Sequence, residues 1–145
     1  MMSSINNIIL TPLGIIENAK GDIFHGMKCS DIGYGGFGEA YFSTINPGSI
    51  KGWNRHKQMT LNLIVPIGSV KFVIIDDAIV DNNLIEVELS LQNYQRLTVP
   101  PGLWVGFQNM YKEQSLILNI ADMEHDPAEK DTKNLDEIDY KWTRV

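Results

Sequence analysis

Residues 60–77 read TLNLIVPIGSVKFVIIDD and carry the clearest structural signal in the chain. Two runs rich in β-branched residues are joined through Pro66, Ile67 and Gly68, and glycine tolerates the positive φ that a tight turn often requires. This pattern predicts two strands joined as a hairpin. The second run alternates between two faces, with Val70, Phe72 and Ile74 on one and Lys71, Val73 and Ile75 on the other. One face should meet a core and the other should be only partly exposed.

Similar short apolar runs, separated by Gly, Pro, Asn or Asp, continue on both sides of this stretch. The predicted strands are residues 8–16, 22–27, 39–45, 50–54, 60–66, 69–75, 84–89, 95–99, 103–108 and 115–120. No convincing helix competes with them. Many short strands at turn-rich spacing predict an all-β sandwich or barrel, in which two facing sheets also protect the strand edges.

The length of 145 residues suits one compact domain, so we expect a single domain over 1–145, with a core at about 8–122 and a tail at 123–145. The tail is polar and acidic until Tyr140 and Trp142, which should anchor it on the barrel. Asp126 followed by Pro127 predicts one helical turn, because aspartate caps helices and proline is tolerated at a first helical position.

The formal net charge of −6 argues against nucleic acid as a partner, because such binding needs clustered Lys and Arg. A lone cysteine, Cys29, cannot form an internal disulfide. Residues 1–18 contain neither a basic start nor an apolar run long enough for a signal peptide or membrane span. We therefore expect a cytoplasmic protein without a membrane partner.

Two segments resemble the dTDP-4-dehydrorhamnose 3,5-epimerase family. The first, residues 37–77, reads FGEAYFSTINPGSIKGWNRHKQMTLNLIVPIGSVKFVIIDD, and the second, residues 89–110, reads LSLQNYQRLTVPPGLWVGFQNM, with a Ser-x-x-Asn run and a Gly-Phe pair. The resemblance implies a cupin fold, the double-stranded β-helix or jelly-roll barrel. It also implies a homodimer that acts as an epimerase or isomerase of a nucleotide-linked 4-keto-6-deoxy sugar in cell-surface polysaccharide biosynthesis.

The family's catalytic histidine follows an Arg-Gly-Leu segment, and here the matching run is Lys51, Gly52, Trp53 and Asn54. Asn54 therefore occupies the place of the base, and an amide cannot accept a proton at neutral pH. His56 lies two residues further along the same strand and should face the same side. Imidazole titrates at about 6.5, so His56 is the best candidate for a general base.

Stabilisation of the enolate and binding of the substrate need cations and hydrogen-bond donors. From residue type, Lys71, Lys57 or Arg55 could stabilise the enolate, Asn62 could donate a hydrogen bond, and Arg96 could bind the diphosphate. Tyr94 or Tyr111 could return the proton, and Trp104 could line the barrel opening. The resemblance adds Glu39, at a position that contacts the nucleotide base, and Lys51, at the position of an arginine near the substrate. Several of these residues have plainer interpretations: His56 as a structural histidine, and Glu39 and Lys71 as solvent-facing strand residues.

Cupins often bind a metal through two histidines one residue apart, an acidic residue and a further histidine. Here Asn54 and His56 occupy the first pair and Val105 the last position, which leaves too few ligands for a tight site. We expect no metal and no cofactor. Because Asn54 and Val105 replace family histidines, a catalytically inactive sugar-nucleotide or glycan-binding cupin is an alternative. A sugar-nucleotide 3,4-ketoisomerase, from a group that favours a His-x-His pair, is a third.

Overall fold

The structure is a computed structural model that describes residues 5–144, so residues 1–4 and 145 of the predicted 1–145 domain lie outside the described residues. The strands are β1 Ile9–Pro12, β2 Ile15–Ile16, β3 Ile23–Phe24, β4 Glu39–Ile45, β5 Ile50–His56, β6 Leu61–Ile67, β7 Ser69–Ile75, β8 Leu84–Ser90, β9 Gln95–Val99, β10 Trp104–Asn109, β11 Ser115–Ala121 and β12 Lys130–Thr132. Helical structure within 5–144 is limited to three short 3-10 turns, Ile5–Asn7, Pro127–Glu129 and Leu135–Glu137. The all-β prediction is confirmed. No helix in the described part of the chain has the length and apolar character needed to cross a membrane.

Ten strands form two five-stranded antiparallel sheets, and β2 and β3 form a small separate hairpin. Sheet I has the order β1-β9-β6-β11-β4, and sheet II has the order β12-β5-β10-β7-β8. The main core lies between the sheets and includes Phe72, Ile74, Leu97 and Ile117, each almost completely buried. Burial of side chains of this size contributes about 1.5–3 kcal/mol each, which makes this core the main source of stability.

The prediction of a hairpin at Pro66–Gly68 is wrong. Strand β6 belongs to sheet I and β7 to sheet II, so the two runs do not pair with each other. Gly68 does take a positive φ of 88°, but the turn carries the chain across from one sheet to the other. A Cβ at Gly68 would lie 2.0 Å from Oγ of Ser115, so this corner also needs the small size of glycine.

Both faces of β7 are buried, whereas the sequence predicted one buried face and one partly exposed face. Val70, Phe72 and Ile74 face the main core, whereas Val73 and Ile75 belong to a second cluster on the outer face of sheet II. Trp53 and Trp104 join this second cluster, and Leu135, Ile138, Tyr140 and Trp142 of the tail pack against it. The predicted tail is therefore laid over the barrel, with its aromatic side chains on sheet II.

The tail also contributes β12, a strand that the sequence did not predict. It pairs antiparallel with β5, with Lys130 opposite His56 and Thr132 opposite Asn54. Just before it, the helical turn predicted at Asp126 and Pro127 is confirmed, because the Asp126 side chain accepts a hydrogen bond from the Ala128 N–H. This turn places Glu129 directly beside the end of β5.

Candidate active site

A cavity lies between the two sheets, on the inner side of the barrel. Its apolar lining is formed by Leu61, Leu63, Phe72, Val105, Phe107 and Ile117. Its polar lining comes from sheet I through Tyr41, Ser43 and Asn119, and from sheet II through Asn54 and His56. An apolar pocket with a few convergent polar groups is the usual form of a small-molecule site.

Strand alternation explains why Asn54 and His56 share this cavity. Trp53 and Arg55 point to the outer face of sheet II, where Trp53 is fully buried in the second cluster and Arg55 stacks on Trp104. Residues two apart on a strand face the same side, so Asn54 and His56 both point inward. The structure places both residues in the cavity lining, as the sequence spacing predicts.

Glu129 holds the imidazole of His56 from the side of the tail. Its Oε1 atom is hydrogen bonded to Nδ1 of His56. Its Oε2 atom accepts hydrogen bonds from the N–H groups of Lys57, Gln58 and Met59 at 3.1–3.2 Å. Glu129 is only 5% exposed, and these partners compensate for the burial of its carboxylate.

These contacts also set the proton positions in the pair. Burial alone would raise the pKa of Glu129, but the hydrogen bond from His56 and those from Gln58 and Met59 lower its pKa below the ordinary value. The carboxylate is therefore ionised at neutral pH and can only accept, so Nδ1 of His56 must donate. In the neutral imidazole, Nε2 then carries the free lone pair.

A hydrogen-bonded chain on sheet I fixes Tyr41 on the other wall of the cavity. Nδ2 of Asn119 donates to the Tyr41 hydroxyl at 3.0 Å, and Oδ1 of Asn119 accepts the N–H of Asn62 at 3.0 Å. The Tyr41 oxygen thus accepts one hydrogen bond from the protein, and its own proton remains able to donate. The lining therefore carries an imidazole on sheet II and a phenol on sheet I.

Three predicted site residues lie on the outer face of sheet II. Nζ of Lys71 donates to Oγ1 of Thr143 at 2.6 Å, beneath the tail. Arg55 pairs with Asp77 and Asp131, and the Trp104 indole N–H donates to Asp77. Because the cavity is on the inner face, Lys71, Arg55 and Trp104 are separated from His56 by the sheet itself.

Three further predicted residues, which lie on sheet I or directly beside it, also make structural contacts. The Tyr94 hydroxyl donates to the His25 carbonyl, and burial raises the pKa of Tyr94. Arg96 is fully buried and binds Asp31 and the carbonyls of Gly26 and Ile32. Asn62 donates to the Gly33 carbonyl and accepts from Thr98. These side chains hold the segment around residues 25–33 against the sheet.

Lys51 and Glu39 lie at the margins of their strands. Nζ of exposed Lys51 donates to the Thr44 carbonyl at 2.7 Å, which links the start of β5 to β4. Oε1 of Glu39 accepts the N–H of His125 at 2.8 Å. Among residues 5–144, no three His, Cys, Asp or Glu side chains come together in a group that could hold a metal ion.

Sequence reasoning missed Glu129, Tyr41, Ser43 and Asn119. Tyr41 and Ser43 follow from the alternation of β4, because they share a face with Glu39. Asn119 is opposite Tyr41 in the pairing of β11 with β4, which only the sheet order reveals. Glu129 has no local signal, since its partner His56 is 73 residues away in the sequence.

Comparison with solved structures identifies the fold. A dTDP sugar isomerase from Desulfovibrio desulfuricans G20 is 29% identical, with a TM-score of 0.83 over 90% of this chain and 85% of that chain. QdtA, a sugar 3,4-ketoisomerase from Thermoanaerobacterium thermosaccharolyticum crystallised with TDP, is 20% identical, with a TM-score of 0.74 over 92% of each chain. A dTDP-4-dehydrorhamnose 3,5-epimerase from Sulfolobus tokodaii is 22% identical, with a TM-score of 0.79 over 92% of this chain and 80% of that chain.

The cupin-type fold and the resemblance to the epimerases are therefore confirmed, the latter as a likeness of fold. Among curated protein sequences, none matches this chain significantly. Residues 6–138, by contrast, match the family model described as "FdtA: WxcM-like, C-terminal". That match spans nearly the whole length, and the chain belongs to the FdtA (WxcM-like, C-terminal) family.

Proposed function

We propose that this protein isomerises a 4-keto-6-deoxy sugar linked to a nucleoside diphosphate, with His56 as the general base. The observation that carries the proposal is the buried Glu129 carboxylate on Nδ1 of His56, with the imidazole in the lining of the cavity. Membership of the FdtA family and the 29% identity to a dTDP sugar isomerase support the choice of substrate class.

The proposed chemistry begins with the carbon next to the keto group. Nε2 of His56 takes the proton from carbon 3, and the C–H electrons form an enolate with the carbonyl at carbon 4. Hydrogen-bond donors in the lining, the Asn54 amide and the Tyr41 hydroxyl, would stabilise the charge on that oxygen. Return of the proton to carbon 4, with transfer of the hydroxyl proton from O3 to O4, moves the carbonyl to carbon 3.

Epimerisation is the second candidate, and the position of Tyr41 favours it. An epimerase needs a base on one face of the sugar and an acid on the other, and His56 and Tyr41 lie on opposite sheets. In this version Tyr41 returns the proton to the same carbon from the opposite face. The acid would then be Tyr41 rather than the sequence candidate Tyr94, whose hydroxyl is bonded to His25.

The experiment is incubation of the purified protein with dTDP-4-keto-6-deoxyglucose in deuterated water, followed by NMR of the product. Deuterium at carbon 4 with a keto group at carbon 3 identifies the ketoisomerase, whereas deuterium at carbon 3 or 5 with inverted configuration identifies the epimerase. His56→Asn should abolish exchange, and His125→Asn, at an exposed histidine of the tail, should not. Nucleotide-sugar binding without any exchange by the unmodified protein would favour the inactive binding cupin.

For the nucleotide, we assign Lys51 as the cation that binds the diphosphate. Its ammonium group is exposed and donates to a single carbonyl, that of Thr44, in the hydrogen bonds of the described residues. Glu39 remains a candidate for contact with the nucleotide base. Lys51→Gln should weaken dTDP binding by about tenfold, because a charge-assisted contact to phosphate is lost.

We also propose a homodimer that forms through the open edge of sheet I. Strand β4 is at that edge and carries Phe42, which is 66% exposed, with Phe37 just before it at 64%. Exposed edge strands pair readily with another chain, and large apolar side chains favour contact. A monomer in light scattering would contradict this.

We propose a single cytoplasmic domain that acts in cell-surface polysaccharide biosynthesis.

A further inference from the structure

The spacing of Lys51 and His56 on β5 raises a geometric problem. They are five positions apart, and an odd separation in a regular strand places side chains on opposite faces. The pairing with β10 resolves this, because Val105 is opposite Asn54 and Phe107 is opposite Lys51. Three steps along β5 thus match two along β10, which defines a β-bulge at Gly52 and Trp53.

The bulge determines where Lys51 points. Val105 and Phe107 both line the cavity, so residues paired with them face the inner side of sheet II. Lys51 therefore shares a face with Asn54 and His56. Without the extra residue, Lys51 would point to the outer face, and the proposed diphosphate cation and the proposed base would lie on opposite sides of the sheet.

Two indole rings cover the bulge from outside. Trp53 is fully buried, and its ring centroid lies 5.2 Å from that of Trp142. Gly106 is the β10 residue opposite the bulge, and a Cβ there would lie 2.9 Å from the Trp53 ring and 3.0 Å from the Trp142 ring. Both rings thus pack directly on the backbone at the bulge.

We use the name strap for residues 133–143, which hold Trp142 in this position. Backbone hydrogen bonds of 3.0 Å run in both directions between Trp53 and Lys133. The Trp53 indole N–H donates to the Leu135 carbonyl, and Thr143 accepts from Lys71. The strap is therefore fastened before and after Trp142, which explains how a tail residue can press on β5.

We infer that Trp142 is a positioning residue: by packing on Trp53 and Gly106, it holds the bulge that keeps Lys51 on the same inner face of sheet II as His56. The inference rests on the proposed function, in which Lys51 binds the diphosphate. It assigns to the strap a role in substrate binding that is separate from the role of Glu129. Loss of the Trp142 ring lets the bulge relax and turns Lys51 away from the substrate.

The test is a double-mutant cycle on dTDP affinity, measured by isothermal titration calorimetry. Trp142→Ala should raise the Kd for dTDP by about tenfold, as Lys51→Gln does. In the Lys51→Gln background, the same change should have less than about a twofold effect, because the cation it positions is already absent. Trp142→Phe, which keeps an aromatic ring on Gly106, should restore most of the affinity.

The matched control is Leu89→Ala on β8, which removes a buried core side chain outside the cavity lining. It should lower the melting temperature and leave the Kd unchanged. If Trp142→Ala does not fold, Trp142→Leu takes its place in the cycle. If Trp142→Ala weakens dTDP binding equally with Lys51 present and in the Lys51→Gln background, or if Leu89→Ala weakens it as much, the inference about Trp142 is wrong and the proposed function is unaffected. If the unmodified protein does not bind dTDP, both the proposed function and the inference are wrong.

Discussion

Nδ1 of His56, at the end of β5, is hydrogen bonded to Oε1 of Glu129, a residue that the C-terminal tail brings to it from 73 positions away. The carboxylate also binds three consecutive backbone N–H groups, of residues 57–59. It therefore fixes both the ring and the turn that follows it. An imidazole held in this way has a defined tautomer and a defined direction toward the cavity.

Glu129→Gln should lower kcat by roughly 100-fold with little change in KM, because the amide cannot stabilise the imidazolium that the proposed mechanism forms on His56. Steady-state kinetics on dTDP-4-keto-6-deoxyglucose measure this. Glu124→Gln, at an exposed position of the same tail, is the control. An unchanged kcat in Glu129→Gln would show that the pair is only structural.

Tyr41→Phe should lower kcat by about 10- to 100-fold, since it removes a phenol hydroxyl from the cavity lining while retaining the ring. Tyr34→Phe, outside the cavity lining, should behave as the unmodified protein. The kcat of Tyr94→Phe distinguishes Tyr41, the acid proposed from the structure, from Tyr94, the acid predicted from the sequence. A loss of kcat in Tyr94→Phe with normal kcat in Tyr41→Phe would return the acid role to Tyr94.

The strands were largely predictable because their signals are local. Residues 39–45, 69–75 and 95–99 were predicted with the bounds that the structure shows. Each is a short β-rich run that ends at a turn residue, so neighbouring sequence is sufficient to define it. The helical turn after Asp126 was predictable for the same reason.

Pairing between distant segments was not predictable. A glycine with positive φ fits a hairpin and a corner between sheets equally well, so Gly68 did not reveal that β6 and β7 belong to different sheets. Strand β12 reads only Lys-Asp-Thr and is a strand because β5 offers it partners. The position of Glu129 depends on that pairing, which is why the site was incomplete from sequence alone.

Acid should destabilise the protein, and Glu129 should account for part of the effect. Its folded pKa is below the ordinary 4.5, so its contribution is complete above that value and is lost as the pH falls through the folded pKa. Asp31 acts in the same direction, because hydrogen bonding by the Lys28 N–H and the nearby Arg96 lower its pKa below the ordinary 3.8.

Urea denaturation at pH values from about 6 to 3 measures this dependence. The free energy of unfolding should fall with pH, and the fall should be shallower in Glu129→Gln, which has no group to protonate at this position. An identical pH dependence in the two proteins would contradict the assignment of the lowered pKa to the contacts of Glu129.

Gly68→Ala should destabilise the fold by about 2–3 kcal/mol, because the turn between the sheets combines two constraints. Its φ of 88° disfavours any side chain, and the new Cβ would meet Oγ of Ser115 at 2.0 Å. Gly48→Ala separates these causes, since Gly48 has a φ of 70° with nothing within 4 Å of its Cβ position. That variant should lose only about 1 kcal/mol, the cost of the backbone conformation alone. Urea denaturation gives both values, and equal losses would mean that the contact between the corner and β11 does not require glycine.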